Sequence, residues 1–257
     1  MIIGIIPARY ASSRFPGKPL VDIQGKSMIQ RVYEQAIQAK KLDKVVIATD
    51  DQRIATHVQT FGATPIMTKE NHPSGTDRCF EAALAVVNAG KNANEIQDAS
   101  TIVVNIQGDE PFISPEQIDL LCQTLIESNL PIATLAIPVD SEELLFNEGE
   151  VKIAMNANKE ALYFSRSPIP YLKGLAKDQW HKHYPYFRHV GLYAYKMQTL
   201  TAITQLQPSP LEKAESLEQL RWLENGFKIQ VGITLHDSHC IDTPEDIERV
   251  LHYFQPK

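Results

Sequence analysis

Short β-branched runs alternate with amphipathic segments through the first half of the chain, and this rhythm constrains the fold more than any other feature. Ile2–Ile6, Val45–Ala48, Thr64–Met67, Ile102–Ile106 and Ile132–Val139 read as strands. Between them Met28, Ile29, Val32, Tyr33, Ala36 and Ile37 recur at helical spacing, behind a Ser27–Gln30 pair that resembles a capping box. Ile54, Val58 and Phe61 mark a second helix, stopped by Gly62. Ser114–Pro115 with Gln117 starts another, with Ile118, Leu121 and Leu125 on one face. Strands alternating with helices imply right-handed crossovers, so the expected fold is α/β with a mainly parallel, doubly wound sheet.

After Val139 the rhythm breaks. Residues 140–190 carry acids, then FSRSPIPY, then the aromatic and histidine-rich WHKHYPYFRH. Alternation returns over Val190–Lys196. A helix start at Ser209–Pro210 leads into Leu211, Leu217, Leu220 and Leu223, with Gly226 as its stop. The last helix opens at Thr243–Pro244 and carries Ile247, Val250, Leu251 and Phe254. The expected organisation is one α/β domain over residues 1–257, its middle an insertion or lid.

A net charge of −6 argues against a nucleic-acid coat, so an anionic ligand must meet a local cluster of cations. No apolar run approaches the roughly 18 residues of a membrane helix, and no signal-peptide pattern opens the chain. Cys79, Cys122 and Cys240 form neither a zinc pattern nor a disulfide framework; the first two fall on apolar stretches, where a thiol acts as a small hydrophobe. These features predict a soluble cytoplasmic protein.

The cations cluster in PARYASSRFPGKPL, directly after the first strand. Ligands of open parallel sheets sit beyond the carboxyl ends of the strands. Small residues let backbone N–H groups approach a phosphate, and Arg9, Arg14 and Lys18 can neutralise a polyphosphate. A solvated loop with scattered cations is the plainer reading of the same residues. The pattern is neither a P-loop nor GxGxxG.

This stretch resembles the amino-terminal signature of the 3-deoxy-manno-octulosonate cytidylyltransferases (CMP-Kdo synthetases). The resemblance extends through NIQGDEP, ALYFSRSPIP, RHVGLYAY, QPSPLEKAESLEQLR and IDTPEDIERV. It implies a fold of the nucleotidyltransferase (nucleotide-diphospho-sugar transferase-like) type. It also implies transfer of CMP from CTP to the eight-carbon acid Kdo, with pyrophosphate released, for lipopolysaccharide biosynthesis. CTP and Kdo are then the partners, alongside a second copy of the chain in a homodimer, with no nucleic acid and no membrane. Residues of about 140–205 become the lid, sugar-binding and dimerisation region. Within it Gly174–Pro185 matches none of the family's motifs.

Residue by residue, Arg9, Arg14 and Lys18 carry over as triphosphate contacts, with Ser12 and Ser13 beside them. Asp109 and Asp242 match the family's metal-binding aspartates, and Mg²⁺ suits such a carboxylate and phosphate environment. Alone, a GDEP turn is only an acidic turn, and an acid beside a helix start is favoured electrostatically. Glu110 and Asp246 are expected to be structural, Asp246 as a capping partner of Thr243. Gln107 offers the donor and acceptor that tell cytosine from uracil, with backbone at Pro7 and Ala8 and the side chain of Arg78 as further base contacts. Without the resemblance, Gln107 is an end-of-strand amide and Arg78 an exposed cation on the polar side of its helix.

For the sugar acid, Arg166, Arg188 and His189 supply charge. Tyr193 is placed with His189 by strand alternation. Glu215 and Gln219, four apart on one helix, share a face with Glu218 beside them. The expected chemistry is in-line attack on the α-phosphorus, with Arg14 and Lys18 stabilising the leaving pyrophosphate and Asp109 and Asp242 holding the metal. No dedicated general base or covalent nucleophile stands out. An 8-amino analogue of the acid stays open as substrate. A glycosyltransferase would show a DxD motif, and none lies near the Asp109 strand end.

Overall fold

The structure is a computed structural model describing residues 1–11, 15–89, 100–237 and 239–254. Its strands are β1 (Ile2–Ala8), β2 (Asp22–Ile23), β3 (Lys26–Ser27), β4 (Lys44–Thr49), β5 (Thr64–Met67), β6 (Ile102–Asn105), β7 (Ile132–Pro138), β8 (Lys152–Met155), β9 (Ala161–Ser165), β10 (Phe187–Lys196) and β11 (Ile229–Ile233). Its helices are α1 (Met28–Ala36), α2 (Gln52–Thr60), α3 (Gly75–Asn88), α4 (Pro115–Glu127), α5 (Glu142–Phe146), α6 (Trp180–His183), α7 (Met197–Ile203), α8 (Pro210–Glu215), α9 (Gln219–Glu224) and α10 (Glu245–Phe254). They fall into two compact units. The first holds Met1–Asp119, Lys196–Thr204 and the carboxyl-terminal segment from 239; the second holds Leu120–Tyr195 and Gln205–Asp237.

In the first unit β6, β1, β4 and β5 lie side by side in that order, all parallel. Residues Ile3 to Ile6 of β1 are buried in an unbroken run, as expected of a strand covered on both faces. Helices α1, α2 and α3 of this unit are each capped by a side chain from the segment that follows the preceding strand. Ser27 Oγ accepts from Gln30 N (3.3 Å), Asp51 Oδ1 from Arg53 N (2.8 Å) and Ser74 Oγ from Asp77 N (3.2 Å). The expected capping box at α1 is half formed, because the Gln30 amide reaches on to Glu34 instead of back. At α10 Asp246 Oδ2 accepts from Thr243 N (2.9 Å) and Asp242 N (2.9 Å), the capping role expected for it.

In the second unit β7 pairs in parallel with β11 and antiparallel with β10, while β8 pairs antiparallel with both β10 and β9. The mainly parallel α/β architecture stands; antiparallel pairing occurs in this unit and in the two-residue β2–β3 pair of the first. Residues 140–190, expected to be irregular, contain the β8–β9 pair. The single helix expected from Ser209 to Gly226 is two. Helix α8 opens with a full Ser209–Glu212 capping box and ends at Ser216, whose φ of 53° is left-handed; α9 begins at Gln219. Glu215 and Gln219 therefore do not share one helix face.

Candidate active site

The carboxyl ends of β1 and β6 form the floor of a pocket in the first unit. It is lined by Pro7, Ala8, Arg9, Lys18, Gln107, Gly108, Asp109 and Asp242, with His72, Ser74, Gly75 and Arg78 from the approach to and first turn of α3. Two glycines make this possible. A Cβ on Gly108 would lie 2.7 Å from the Pro7 carbonyl oxygen, so only glycine lets the strand ends come this close. Gly17 turns at φ 73° with its N–H donating to the Tyr10 carbonyl (3.0 Å), and this turn delivers Lys18 to the pocket.

Asp242 reaches Asp109 from far along the chain because Ile241 N donates to the Asp109 carbonyl (2.9 Å). Ile241 itself is buried in a cluster with Ile23, Met28 and Val250, flanked by Phe15, Val21 and Phe112. The apolar anchor thus fixes the acid next to it. Between the two carboxylates lies the Lys18 ammonium, donating to Asp109 Oδ2 (2.8 Å), the Ile241 carbonyl (2.9 Å) and Asp242 Oδ1 (3.3 Å).

Arg78 is not the exposed cation of the plainer expectation; it is 4% exposed. Its Nη1 donates to Thr68 Oγ1 and lies 3.2 Å from Asp50 Oδ1, so groups just past β5 and β4 hold a buried guanidinium against the pocket wall. A buried charge survives only with such partners. His72, which sequence patterns did not single out, is held by Glu81, and Glu81 also accepts from Lys69 N (2.9 Å). Its only sequence signal was its place two residues before the α3 cap. Arg14, Ser12 and Ser13 lie outside the described residues.

The residues expected to bind a sugar acid lie in the second unit, and the structure sorts them. His189 and Tyr193 are together, ring centroids 5.2 Å apart, although the β10–β7 register shifts between Val190 and Tyr193. His189 Nε2 pairs with Thr134 Oγ1 (2.9 Å), and Phe164 packs edge-on against the imidazole. The residue as a whole is half-buried, yet burial of its imidazole pushes the pKa down to about 3 and holds the ring neutral. Burial, then the nearby Glu218, raises the Tyr193 phenol well above its ordinary value. The Tyr193 hydroxyl lies near Thr134 but finds no partner of hydrogen-bond geometry. Gln219 is buried at the start of α9.

The two arginines are engaged elsewhere. Arg188, 7% exposed, faces Glu150 (3.3 Å) and Asp237. Arg166 donates from Nε to the Glu215 carbonyl (2.8 Å) and from Nη1 to the Glu148 carbonyl (3.1 Å), while Glu215 accepts from Arg166 N (2.9 Å) and Ser165 Oγ (2.7 Å). Lys152, wholly buried beneath them, donates to the carbonyls of Asn147 and Glu150, and desolvation lowers its pKa. Lys152, Arg166 and Arg188 therefore fasten the segment 147–150 from three sides. Sequence patterns missed Lys152, because a lone lysine in a strand gives no sign of being buried.

The cytidylyltransferase family matches residues 3–229. The 3-deoxy-manno-octulosonate cytidylyltransferase of Parabacteroides distasonis is 52% identical over 255 residues, 98% of this chain and 97% of its own. That of Cytophaga hutchinsonii is 49% identical over 252 residues, 98% and 96% of the two chains. A solved structure of CMP:2-keto-3-deoxy-manno-octonic acid synthetase complexed with CTP is 41% identical with a TM-score of 0.85, covering 98% of this chain and 97% of that one.

Proposed function

The chain belongs to the cytidylyltransferase family, and from that premise we propose that it transfers CMP from CTP to 3-deoxy-manno-octulosonate, releasing pyrophosphate. The observation that carries the reading is the convergence of Asp109, Asp242 and Lys18 on one wall of a pocket floored by Pro7, Ala8 and Gln107. Relatives of about half-identical sequence over nearly the whole chain bear the name of this reaction.

The donor set suits Mg²⁺. Two carboxylates close enough to share one ammonium, beside a backbone carbonyl, are all oxygen and leave room for phosphate oxygens. Two carboxylates leave the other coordination positions of such an ion to waters and substrate phosphates, as Mg²⁺ prefers. When bound, Mg²⁺ would neutralise phosphate charge and acidify the attacking hydroxyl. The chain's own part is positioning. Gln107 and the Pro7–Ala8 backbone orient the base, and Arg78, pinned by Asp50 and Thr68, adds a fixed positive charge to the pocket wall. Arg9, Arg14 and Lys18, with Ser12 and Ser13, bind the triphosphate, and Arg14 and Lys18 stabilise the departing pyrophosphate. His189, Tyr193, Glu218 and Gln219 hydrogen-bond the sugar's hydroxyls, with Arg166, Arg188 and Glu215 bracing that region or contacting its carboxylate. Such placement and charge neutralisation are the main sources of rate in phosphoryl-type transfer.

The active assembly is a homodimer in the cytoplasm, where CTP is made. Exposed Leu162, Tyr171 and Tyr184 and the groove between Ile153, Met155, Phe187 and Ile233 give the second unit apolar surface for a like partner. No helix among the described residues is long and apolar enough to cross a membrane. The decisive test is pyrophosphate release from CTP, Mg²⁺ and the octulosonate, with the 8-amino acid and sialic acid as competitors. Turnover with the octulosonate no faster than with sialic acid defeats the reading.

A further inference from the structure

We propose that Lys18 and the divalent cation compete for Asp109 and Asp242, which makes Lys18 a positioning residue for the metal ligands as well as a triphosphate contact. This deepens the metal reading given above and rests on it. An ammonium has three N–H donors and no acceptor. All three are engaged here, on Asp109 Oδ2, the Ile241 carbonyl and Asp242 Oδ1. Lys18 therefore has no donor for a phosphate oxygen until it releases these. A cation that takes Asp109 Oδ2 and Asp242 Oδ1 occupies the place of the ammonium, and two cations so close repel. The two arrangements exclude one another.

The exchange needs only side-chain motion. The backbone of Lys18 is fixed, with Leu20 N donating to the Gly17 carbonyl (2.9 Å) and Gly17 N to the Tyr10 carbonyl (3.0 Å), and Pro19 beside it is buried. Lysine carries a compact charge on a flexible four-carbon stem, so it can leave two carboxylates for a phosphate without moving the chain. Until a metal arrives, Lys18 prevents Asp109 and Asp242 from repelling each other apart, and keeps them converged. Metal entry frees the ammonium, and the triphosphate that arrives with the metal gives it a new partner. The exchange links assembly of the metal site to capture of the nucleotide.

Lys18→Met keeps the length of the side chain and removes its charge. Metal-free Lys18→Met should melt lower than wild type in EDTA by roughly 2–6 °C, and Mg²⁺ alone should restore it. By calorimetry with Mg²⁺ alone, without nucleotide, the variant should bind the ion about tenfold tighter than wild type, a coupling of the usual size between two sites. Equal Mg²⁺ affinity in the two proteins overturns the competition. The double variant Lys18→Met/Asp109→Asn guards against a simple folding defect. With one of the facing charges gone it should regain the metal-free melting temperature and lose its response to Mg²⁺; failure to regain it also counts against the proposal. If Asp109→Asn abolishes Mg²⁺ binding while Lys18→Met leaves its affinity unchanged, the metal site stands and the competition falls. If Asp109→Asn leaves Mg²⁺ binding untouched, the metal reading falls and takes the competition with it.

Discussion

In the first compact unit two carboxylates are brought side by side on a pocket wall and share a single ammonium, whereas in the second three cations are distributed over carboxylates and carbonyls, with Lys152 and Arg188 buried. Lys18, Asp109 and Asp242 keep side-chain exposures of 15, 27 and 34%. Arg188 keeps 8%, and Lys152 has none. Like charges held together at a partly open surface leave an unbalanced site, which a polyvalent ligand can complete. Charges matched by their partners brace a frame, and the groups proposed to meet the sugar on that frame are neutral: an imidazole held uncharged and a phenol without a partner. On the proposed reading, charge recognition and hydroxyl recognition are built by different means in the two units.

The largest expected effect breaks the comparison on the first side. Asp109→Asn or Asp242→Asn removes one carboxylate charge and keeps the shape, so turnover should fall by ~10²–10³-fold, the rate equivalent of several kcal/mol. The melting temperature should stay close to that of wild type, since Lys18 keeps one carboxylate partner. Initial rates of pyrophosphate release at millimolar Mg²⁺, with thermal denaturation in parallel, check this; near-normal turnover in either variant removes the metal role.

Arg188→Met makes the opposite kind of break. It removes the guanidinium that faces Glu150 and Asp237, and because both are partly exposed, water moderates the loss to about 1–2 kcal/mol, or roughly 2–8 °C. A bracing Arg188 lowers the melting temperature and raises the sugar KM only modestly. An Arg188 that grips the sugar carboxylate gives the reverse, a large rise in sugar KM on a stable protein.

A third test is confined to acid. The folded pKa of His189, about 3, lies below the ordinary 6.5, so its contribution to stability is complete above about pH 6.5 and is lost progressively as the pH falls towards 3. His189→Gln has nothing to protonate and should lose less stability over that range. Denaturant midpoints at pH 7.5, 6 and 5 decide it, and parallel pH curves for the two proteins contradict the assignment.

The parallel strands were legible because each is an apolar β-branched run closed by Gly, Pro or a polar turn. β1, β4, β5, β6 and β7 fall within two residues of their expected ends. The β8–β9 pair was not legible, since Lys152 interrupts the apolar pattern and only tertiary contacts reveal that it is buried. The break at Ser216 was hidden for a related reason: a serine at φ 53° adopts a conformation its residue type does not announce. The basic loop pointed to a ligand from its place after β1, whereas Gln107 alone read as an end-of-strand amide. The meeting of Asp109 with Asp242 depends on the Ile241 N–H bond to the Asp109 carbonyl, a contact between distant segments that no local pattern encodes. Only the family resemblance made that pair visible in advance.

The smallest effect is the most discriminating for the second unit. Tyr193→Phe removes a buried hydroxyl that has no hydrogen-bond partner. Such a group carries a desolvation cost without a compensating bond, so its loss should leave the melting temperature unchanged or raise it slightly. A hydroxyl that waits for a sugar oxygen then shows itself only in binding. One hydrogen bond to a neutral partner is worth about 0.5–1.5 kcal/mol, so the sugar KM should rise roughly three- to tenfold, with the CTP KM unchanged. Steady-state kinetics varying each substrate separately distinguishes the outcomes. A rise in the CTP KM with the sugar KM unaffected would mean that the phenol serves the nucleotide, and a loss of stability without any kinetic change would make it a packing group of the β10 frame.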